Sequence, residues 1–509
     1  MELEFLPFSL SFLGLLLLFF FLLMVWKTLS KTSKISGKLP PGPRKLPFIG
    51  NIHNLFGGLP HIVLRDLAKK YGPLMHLQLG EVSTVIVSSA EMAKEVLVTH
   101  DPVFANRPDR LAINIMWYDK QDMIFTPYGD HWRQLRKICI MELLSNKNVR
   151  SFSYIRKDEI MKLMKSIRSS QGVPVNVTEM FFRYATFMTC RAAFGTISKD
   201  TETMIKCLKE AMVLAAGFDA ADVFPSLKIL PLISGLKRKL LKMHDKMDEI
   251  LDDVINQHKL NHKSGKMGNA VSGEEDLIDV LLRLQESGNL QMPITDRNIK
   301  GVLFDIFTAG TDTSSVTSEW AMSELMKHPR VMAKAQAEVR QVCKGKETIE
   351  EDDIQKLVYL KVVVKEALRL HPPGPLIPRA SRENREVKGY MISNKSHVLV
   401  NAYAIARDPE YWDDPEMFKP ERFDQKSVDY TGSDFQFLPF GTGRRMCPGV
   451  TFGVANIELP LAHLLFHFDW SLPNGMKPND LDMDEAAGLS INRKNNLYLV
   501  ATAYCHPMN

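Results

Sequence analysis

Hydrophobic positions along most of the chain recur every three or four residues, the spacing that places apolar side chains on one face of an α-helix. The stretch 239–260 keeps this period throughout, and a second long helix is predicted to begin near Thr295. The stretch 74–89 alternates instead and is rich in β-branched residues, which predicts a β-hairpin that turns at Gly80. No internal repeat and no further shift in composition divides 51–509. The pattern therefore predicts one large, mainly α domain with a minor β-sheet region.

The first fifty residues follow a different pattern, an apolar segment followed by a basic, proline-rich one. Residues 5–26 carry no charged side chain, and a helix of that length is about 33 Å long, enough to cross a hydrocarbon core of about 30 Å. Because cations follow, the positive-inside rule predicts a luminal N-terminus at 1–4, a connector at 27–50 and a cytosolic domain at 51–509. A cleaved signal peptide is the alternative, which the acidic start disfavours. We therefore expect one N-terminal transmembrane helix and a single-pass anchor.

Composition and charge add two exclusions to this picture. The 64 basic and 59 acidic side chains give a formal net charge of +5, and no run of five like charges occurs, so nothing indicates a nucleic-acid partner. The six cysteines show no CxxC motif and no regular spacing, which disfavours zinc modules and disulfide frameworks. The domain is therefore expected in a reducing compartment.

The segment 440–449, FGTGRRMCPG, gives one of these cysteines an unusual setting. Apolar residues at helical spacing follow Cys447, and Pro448 is expected at the first helical position, so the thiol would lie where free N–H groups favour a thiolate. A merely packed thiol is the alternative. Zinc would need three further ligands, and no Cys or His is close in sequence. A planar cofactor with four nitrogen ligands needs a single protein ligand, and haem is such a case.

The same ten residues resemble the F-x-x-G-x-R-x-C-x-G signature of the cytochrome P450 family, through Phe440, Gly443, Arg445, Cys447 and Gly449. The resemblance implies that Cys447 is the axial thiolate ligand of haem b and that Arg445 pairs with a haem propionate. It also implies use of dioxygen, with cytochrome b5 as a further partner. Electrons would come from NADPH through a reductase, since the chain has no GxGxxG motif of its own. The closest pattern is the plant microsomal class, which implies an endoplasmic reticulum membrane.

The motif AGTDTS at 309–314 is similar to the oxygen-binding motif of the family's long central helix. The resemblance implies that Thr313 hydrogen-bonds the dioxygen, that Asp312 relays protons and that Ala309 lies beside the haem. Delivery of two protons is what O–O cleavage requires, and a hydroxyl can pass them without being consumed. A local bond from the threonine hydroxyl to the helix backbone is the structural alternative.

Other motifs extend the likeness over essentially the whole chain. Trp132 and Arg136, four residues apart in HWRQLRK, look like the family's W-x-x-x-R pair for a propionate, and Arg379 matches a similar propionate-binding position. An E-x-x-R pair alone is usually a solvated salt bridge. Relatives instead bury such a pair with a second arginine in a network that supports the haem-binding core; the matching residues are Glu366, Arg369 and Arg422.

The segments that line the substrate cavity in this family are apolar here, which predicts an uncharged lipophilic small molecule. The predicted pocket residues are Ile115, Phe304, Ile377 and Ile491. The stretch 221–230 resembles the plant subgroup rich in terpenoid hydroxylases, so oxidation of a sesqui- or diterpene is expected. Phenylpropanoid and alkaloid substrates remain open. A haem-thiolate isomerase or dehydratase and a non-enzymatic anchored haem protein are further alternatives, which the intact Asp312–Thr313 pair disfavours.

Overall fold

The computed structural model describes residues 37–170, 172–264, 275–424 and 427–505, in which helices are the dominant element. The α-helices are α1 (Pro60–Tyr71), α2 (Ala90–Lys94), α3 (Asp101–Phe104), α4 (Leu111–Met116), α5 (Asp130–Ile138), α6 (Asn146–Ser151), α7 (Ser153–Ser169), α8 (Val177–Phe194), α9 (Thr201–Leu214), α10 (Ala220–Val223), α11 (Leu230–Ile233), α12 (Leu236–Lys263), α13 (Leu277–Ser287), α14 (Asp296–Lys327), α15 (Pro329–Val342), α16 (Glu351–Ile354), α17 (Val358–Leu370), α18 (Ala402–Ile405) and α19 (Val450–His467). Two short π-helical segments follow α2 and α5, at Glu95–Thr99 and Cys139–Leu143.

The strands form small sheets beside the helices. They are β1 (Leu74–Leu79), β2 (Val82–Val87), β3 (Pro174–Asn176), β4 (Leu376–Ala380), β5 (Arg385–Val387), β6 (Tyr390–Ile392), β7 (His397–Asn401), β8 (Phe468–Ser471), β9 (Glu485–Ala486), β10 (Asn492–Arg493) and β11 (Tyr498–Ala503). The largest sheet has the order β1-β2-β7-β4, with β7 parallel to β2 and antiparallel to β4. Leu79 pairs with Val82, so the predicted hairpin turn at Gly80 is confirmed.

The two long helices that the hydrophobic period predicts are both present. The predicted helix 239–260 lies within α12. The second, α14, begins directly after Thr295, whose hydroxyl accepts the N–H of Asn298 at 3.3 Å while the Asn298 side chain accepts the N–H of Thr295 at 3.1 Å. This reciprocal cap satisfies backbone groups that a helix start leaves free. The helix is therefore fixed at its N-terminus before it enters the core.

The helix α14 joins two halves of the hydrophobic core. Its N-terminal half, including Phe307, packs in one cluster with residues of α4, α9 and α12, and its C-terminal half packs with α15, α17 and α19. Gly310 lies between the two halves, and a Cβ at this position would lie 3.0 Å from Thr189 Oγ1 and 3.3 Å from Phe452 Cε1. This glycine therefore allows α8 and α19 to approach α14 closely.

The mainly helical fold with minor sheets that the sequence predicts is confirmed. The described part of the predicted connector lies on the largest sheet, where the His76 N–H donates to the carbonyl of Pro41 at 2.8 Å and Gly50 pairs with Leu79. The predicted span at 5–26 lies outside the described residues. Within the described part of the chain, no helix is both long enough and apolar enough to cross a bilayer.

Candidate active site around Cys447

A cavity of about 350 Å³ lies between the middle of α14 and the segment that precedes α19. Many of the α14 residues that line it recur every three or four positions, as expected for one helix face; among them are Ile306, Ala309, Gly310, Thr313 and Thr317. Cys447 and Gly449 line the cavity as well. The structure thus brings the two strongest sequence motifs to the wall of a single cavity.

Cys447 lies in the turn just before α19. Its N–H donates to the carbonyl of Phe440 at 2.9 Å, which closes the loop, and Phe440 also lines the cavity. The helix begins at Val450, two residues later than the predicted start at Pro448, because Pro448 and Gly449 form a turn. Burial raises the pKa of the Cys447 thiol, and the Gly449 N–H only partly offsets this effect. Burial thus opposes the lowering of the thiol pKa that the helix start was predicted to cause.

The glycines around Cys447 have different roles. A Cβ on Gly449 would lie 3.9 Å from the Cys447 Sγ, so this position leaves room directly beside the sulfur. Gly443 does not line the cavity: its φ is +71°, and a Cβ there would fall 2.1 Å from the carbonyl oxygen of Leu97. This glycine of the signature therefore allows the loop to pack on the π-helical segment at Glu95–Thr99.

Trp132 and two arginines form a stacked group at one end of the cavity. The Cζ of Arg445 lies 4.4 Å from the centre of the Trp132 ring, and the Cζ of Arg136 lies 5.6 Å from it. Arg445 also donates to the carbonyls of Ala105 at 2.8 Å and Ile124 at 3.2 Å. Both arginines line the cavity, whereas Trp132 lies behind them and supports them.

Arg107 and Arg379 complete a cluster of four arginines, of which Arg379 and Arg445 are buried and Arg107 and Arg136 are partly buried. Burial and the charges of the neighbouring arginines lower the pKa of Arg445 to about 8 and that of Arg107 to about 10, and they lower the pKa of Arg379 as well. None of the four forms an ion pair with a carboxylate among the described residues. Arg379 itself does not line the cavity. Arg107 was missed by the sequence analysis, although it directly precedes Pro108 in the segment before α4.

Asp305 connects this cluster to α14. Its Oδ2 accepts the backbone N–H groups of Met123 at 2.8 Å and Ile124 at 3.1 Å. The carbonyl of Met123 in turn accepts the Trp132 indole N–H at 3.1 Å, and the carbonyl of Ile124 accepts from Arg107 at 3.3 Å. Burial raises the pKa of Asp305. No sequence motif marks this aspartate, because its role depends on contacts with residues about 180 positions away in the chain.

On α14, the two predicted catalytic residues differ in their access to the cavity. Thr313 lines it, and its hydroxyl donates to the carbonyl of Ala309 at 2.7 Å, the local bond that was the structural alternative. Asp312 is buried and does not line the cavity, but its carboxyl group lies beside the side chain of Ser490, which does. Burial raises the pKa of Asp312, and Ser490 partly offsets the rise. A route from Asp312 to the cavity therefore passes through Ser490.

The residues predicted to support the core form a buried ionic network. Glu366 accepts from Arg369 at 2.7 and 2.9 Å and from Arg422 at 3.0 Å, and all three side chains are nearly inaccessible to solvent. Arg369 donates further to the carbonyls of Ala406 and Pro415, each at 2.7 Å. Such saturation with hydrogen bonds is what makes a buried charge tolerable.

Of the predicted pocket residues, only Ile377 lines the cavity. Ile115 does not, because Ile113 takes that place and a two-residue step on the short helix α4 turns a side chain to another face. Phe304 does not line the cavity either.

Phe304 packs edge-on against Trp117, with ring centres 5.0 Å apart, while Ile306 on the same helix reaches the cavity. Ile491 lies outside as well: it is buried beside Trp320, whose indole N–H donates to the Ile491 carbonyl at 2.7 Å. Leu489, two positions earlier, lines the cavity instead. In each of these cases the predicted segment does reach the cavity, but a neighbouring residue of that segment lines it.

The sequence model of the family described as "Cytochrome P450" matches residues 40–500. The chain belongs to the cytochrome P450 family. It is 58% identical over 498 residues to premnaspirodiene oxygenase of Hyoscyamus muticus and 57% identical over 500 residues to 5-epiaristolochene 1,3-dihydroxylase of Nicotiana tabacum, with 98% of each chain covered in both cases. A solved structure of a zebra fish cytochrome P450 with abiraterone superposes with a TM-score of 0.73 at 25% identity, covering 88% of this chain and all of the other.

This P450 is an NADPH-dependent monooxygenase of the plant microsomal type, with haem b, a thiolate ligand to iron, dioxygen and electrons from a reductase. Haem fits the residues present. Its two propionates match a cluster of four buried or partly buried arginines that form no ion pair with a described carboxylate, and its iron needs one thiol ligand, which Cys447 offers at the cavity wall. The apolar walls suit both the macrocycle and a lipophilic substrate.

Proposed function

We propose that this P450 hydroxylates or further oxidises a sesqui- or diterpenoid. The observation that carries the proposal is that Cys447 and Thr313 line one largely apolar cavity, which leaves a small hydrophobic molecule near the oxygen-activating centre. The terpenoid class is supported by two relatives more than half identical to this chain, a premnaspirodiene oxygenase and a 5-epiaristolochene 1,3-dihydroxylase.

In this proposal Cys447 ligates the haem iron through Sγ, and the arginine cluster neutralises the two propionates. Bound haem supplies the activation of dioxygen. Arg445, Arg136 and Arg107 offer donors from the cavity wall, while Arg379 adds positive charge from behind it. The arginine cations repel one another and have lost part of their hydration inside the protein. A propionate carboxylate bound among them would reduce this repulsion. Phe440 and Gly449 form the floor beside the sulfur.

Protons reach the cavity through side chains of α14. The Thr313 hydroxyl, which rests on the Ala309 carbonyl, can rotate to hold a proton at Oγ1 on the cavity side. Asp312 holds its proton more tightly than an exposed carboxyl group because it is buried, and it passes that proton by way of Ser490. In this proposal Asp312 holds a proton close to the cavity without lining it.

The apolar segment 5–26 anchors the protein in the endoplasmic reticulum membrane, with 1–4 in the lumen. The basic and proline-rich 27–50 then leads to the catalytic domain, 51–509, on the cytosolic side. The reductase that delivers electrons from NADPH is reached from that side, and cytochrome b5 is a second electron donor. Protease treatment of sealed microsomes should remove the domain; its protection would contradict this topology.

Co-expression with a P450 reductase in yeast microsomes tests the proposed activity. The microsomes are fed matched panels of sesquiterpenes, diterpenes, phenylpropanoids and alkaloids with NADPH. We expect NADPH-dependent oxygenated products from the terpenes, labelled by ¹⁸O₂, and none from Cys447→Ala microsomes. Turnover confined to phenylpropanoids or alkaloids would overturn the terpenoid assignment, and products without the ¹⁸O label would overturn the oxygenation itself.

A further inference from the structure

Arg110 places a buried cation at the part of the cavity wall formed by the start of α4. It directly precedes Leu111, lines the cavity and is only 7% exposed. Its Nη1 donates to the carbonyl of Ala215 at 2.6 Å, at the C-terminal end of α9. This hydrogen bond is expected, because carbonyl groups at a helix C-terminus attract cations. It uses one N–H of the guanidinium group, which has five.

The charge of Arg110 is only partly compensated. Among the described residues Arg110 forms no ion pair, and its Nε has no hydrogen-bond partner. Asp222 acts on it through charge alone, since its carboxylate accepts the N–H of Leu111 at 3.0 Å. A buried cation with unused donors costs free energy unless a ligand satisfies it. Arg110 differs from Arg107 in this respect, because Arg107 donates to two carbonyls, those of Ile124 and Pro378, and belongs to the arginine cluster proposed for the propionates.

The guanidinium is also held in place. A Cβ on Gly217 would lie 2.1 Å from the Arg110 Cζ, so the guanidinium lies directly against the main chain there. The φ of Gly217 is +83°, a conformation that side-chain-bearing residues rarely adopt. The donors of Arg110 are thus fixed on the cavity wall before a ligand arrives, which lowers the entropic cost of using them.

We propose that Arg110 binds an oxygen atom on the substrate, so that the enzyme prefers a terpenoid that already carries a hydroxyl, carbonyl or carboxylate group. The inference rests on the proposed function for the terpenoid skeleton. Apolar side chains nearby on the wall, Ile113 of α4 and Met212 of α9, contact the hydrocarbon part. Charged N–H donors favour an oxygen acceptor over a hydrocarbon edge, and the anchored oxygen sets which carbon faces the oxygen-activating centre beside Thr313.

Difference spectroscopy of the purified holoenzyme tests this inference without turnover. The probes are three matched pairs, each a hydrocarbon and its primary alcohol: a sesquiterpene, a diterpene and a phenylpropene. We expect the wild type to bind the terpene alcohol at least about tenfold more tightly than its hydrocarbon, the effect of a hydrogen bond to a charged donor. The variant Arg110→Met, of similar length, should lose this preference while binding the hydrocarbon as before, and Arg110→Lys should restore part of it. Arg238→Met, on the exposed face of α12, is the matched control.

Each other outcome has a distinct meaning. Equal affinity of the wild type for alcohol and hydrocarbon overturns the anchor but leaves the terpenoid assignment intact. Equal loss of both ligands in Arg110→Met shows that Arg110 only ties α4 to the end of α9, and also overturns it. Binding of the phenylpropene pair alone overturns the terpenoid function, and the preference within that pair then decides the role of Arg110. If no pair binds, both proposals fail.

Discussion

Arg445 and Trp132 donate to the same acceptor, the carbonyl oxygen of Met123, at 3.3 and 3.1 Å, with the guanidinium stacked over the indole ring. Two residues 313 positions apart in the chain are thereby fixed against one peptide group. Stacking on an aromatic face and fixed carbonyl acceptors orient the arginine before any carboxylate binds it. Pre-organisation of this kind makes the pair a determinant of cofactor retention.

Replacement of Arg445 should weaken haem binding. The variant Arg445→Leu removes a charge-assisted hydrogen bond to a propionate. We therefore expect the rate of haem dissociation to rise about tenfold. The rate of haem transfer to apomyoglobin measures this. Arg444→Leu is the control, since Arg444 is half exposed and its guanidinium faces Asp101 at 3.6 Å. Equal rates in the two variants would contradict a propionate role for Arg445.

Replacement of Cys447 should remove the thiolate signature. The reduced, carbon monoxide-bound wild type is expected to show the red-shifted Soret band of thiolate ligation, and Cys447→Ala should lack it. Cys139 is a second buried thiol on the same cavity wall, so Cys139→Ala should keep the band. Loss of the band in Cys139→Ala but not in Cys447→Ala would show that Cys139, and not Cys447, is the ligand.

Thr313→Ala should retain haem but couple electrons poorly to product. Without the cavity-side hydroxyl, proton delivery is misdirected and several times more NADPH is lost as peroxide. Peroxide formed per NADPH consumed is the measurement. Thr317 is one turn further along the same face and makes the same type of bond, to the Thr313 carbonyl at 2.8 Å. Similar coupling in Thr313→Ala and Thr317→Ala would show that Thr313 has only the local, structural bond.

The network around Glu366 should be a large contributor to stability. Glu366→Gln leaves Arg369 and Arg422 buried without a counter-charge, which should lower the free energy of unfolding by about 3–5 kcal/mol. Urea denaturation of the holoprotein followed by tryptophan fluorescence measures the change. The surface pair Glu179–Arg183 at 2.9 Å provides the control, because Glu179→Gln should cost less than about 1 kcal/mol. A comparable loss in both variants would mean that the network contributes no more than a surface pair.

Asp312 should make stability depend on pH. Burial raises its pKa above the ordinary 3.8, so the folded protein binds the proton more tightly than the unfolded chain. This contribution is favourable below about pH 4 and is lost as the pH rises through the raised pKa. Asp312→Asn should therefore be more stable than the wild type at pH 7, with the gain disappearing at acid pH. A gain that is the same at both pH values would indicate a packing effect instead.

The sequence alone predicts features that depend on a local motif, but it does not predict contacts between segments that are far apart in the chain. Helix periodicity predicts α12 and α14, and the segment 440–449 places Cys447. The contact of Gly443 with the Leu97 carbonyl, by contrast, depends on two segments far apart in sequence. Side-chain direction on a short helix such as α4 is set by its neighbours, which is why Ile113 and not Ile115 reaches the cavity.

Asp305 couples the substrate cavity to the cofactor mechanically. It lines the cavity from α14 and holds the N–H groups of Met123 and Ile124, whose carbonyls hold Trp132, Arg445 and Arg107. Met123 and Ile124 are themselves part of the cavity wall. A bulky molecule that pushes this peptide outward must also shift the donors that face the propionates. The wall of the cavity and the position of the positive charge therefore share one support, the carboxylate of Asp305.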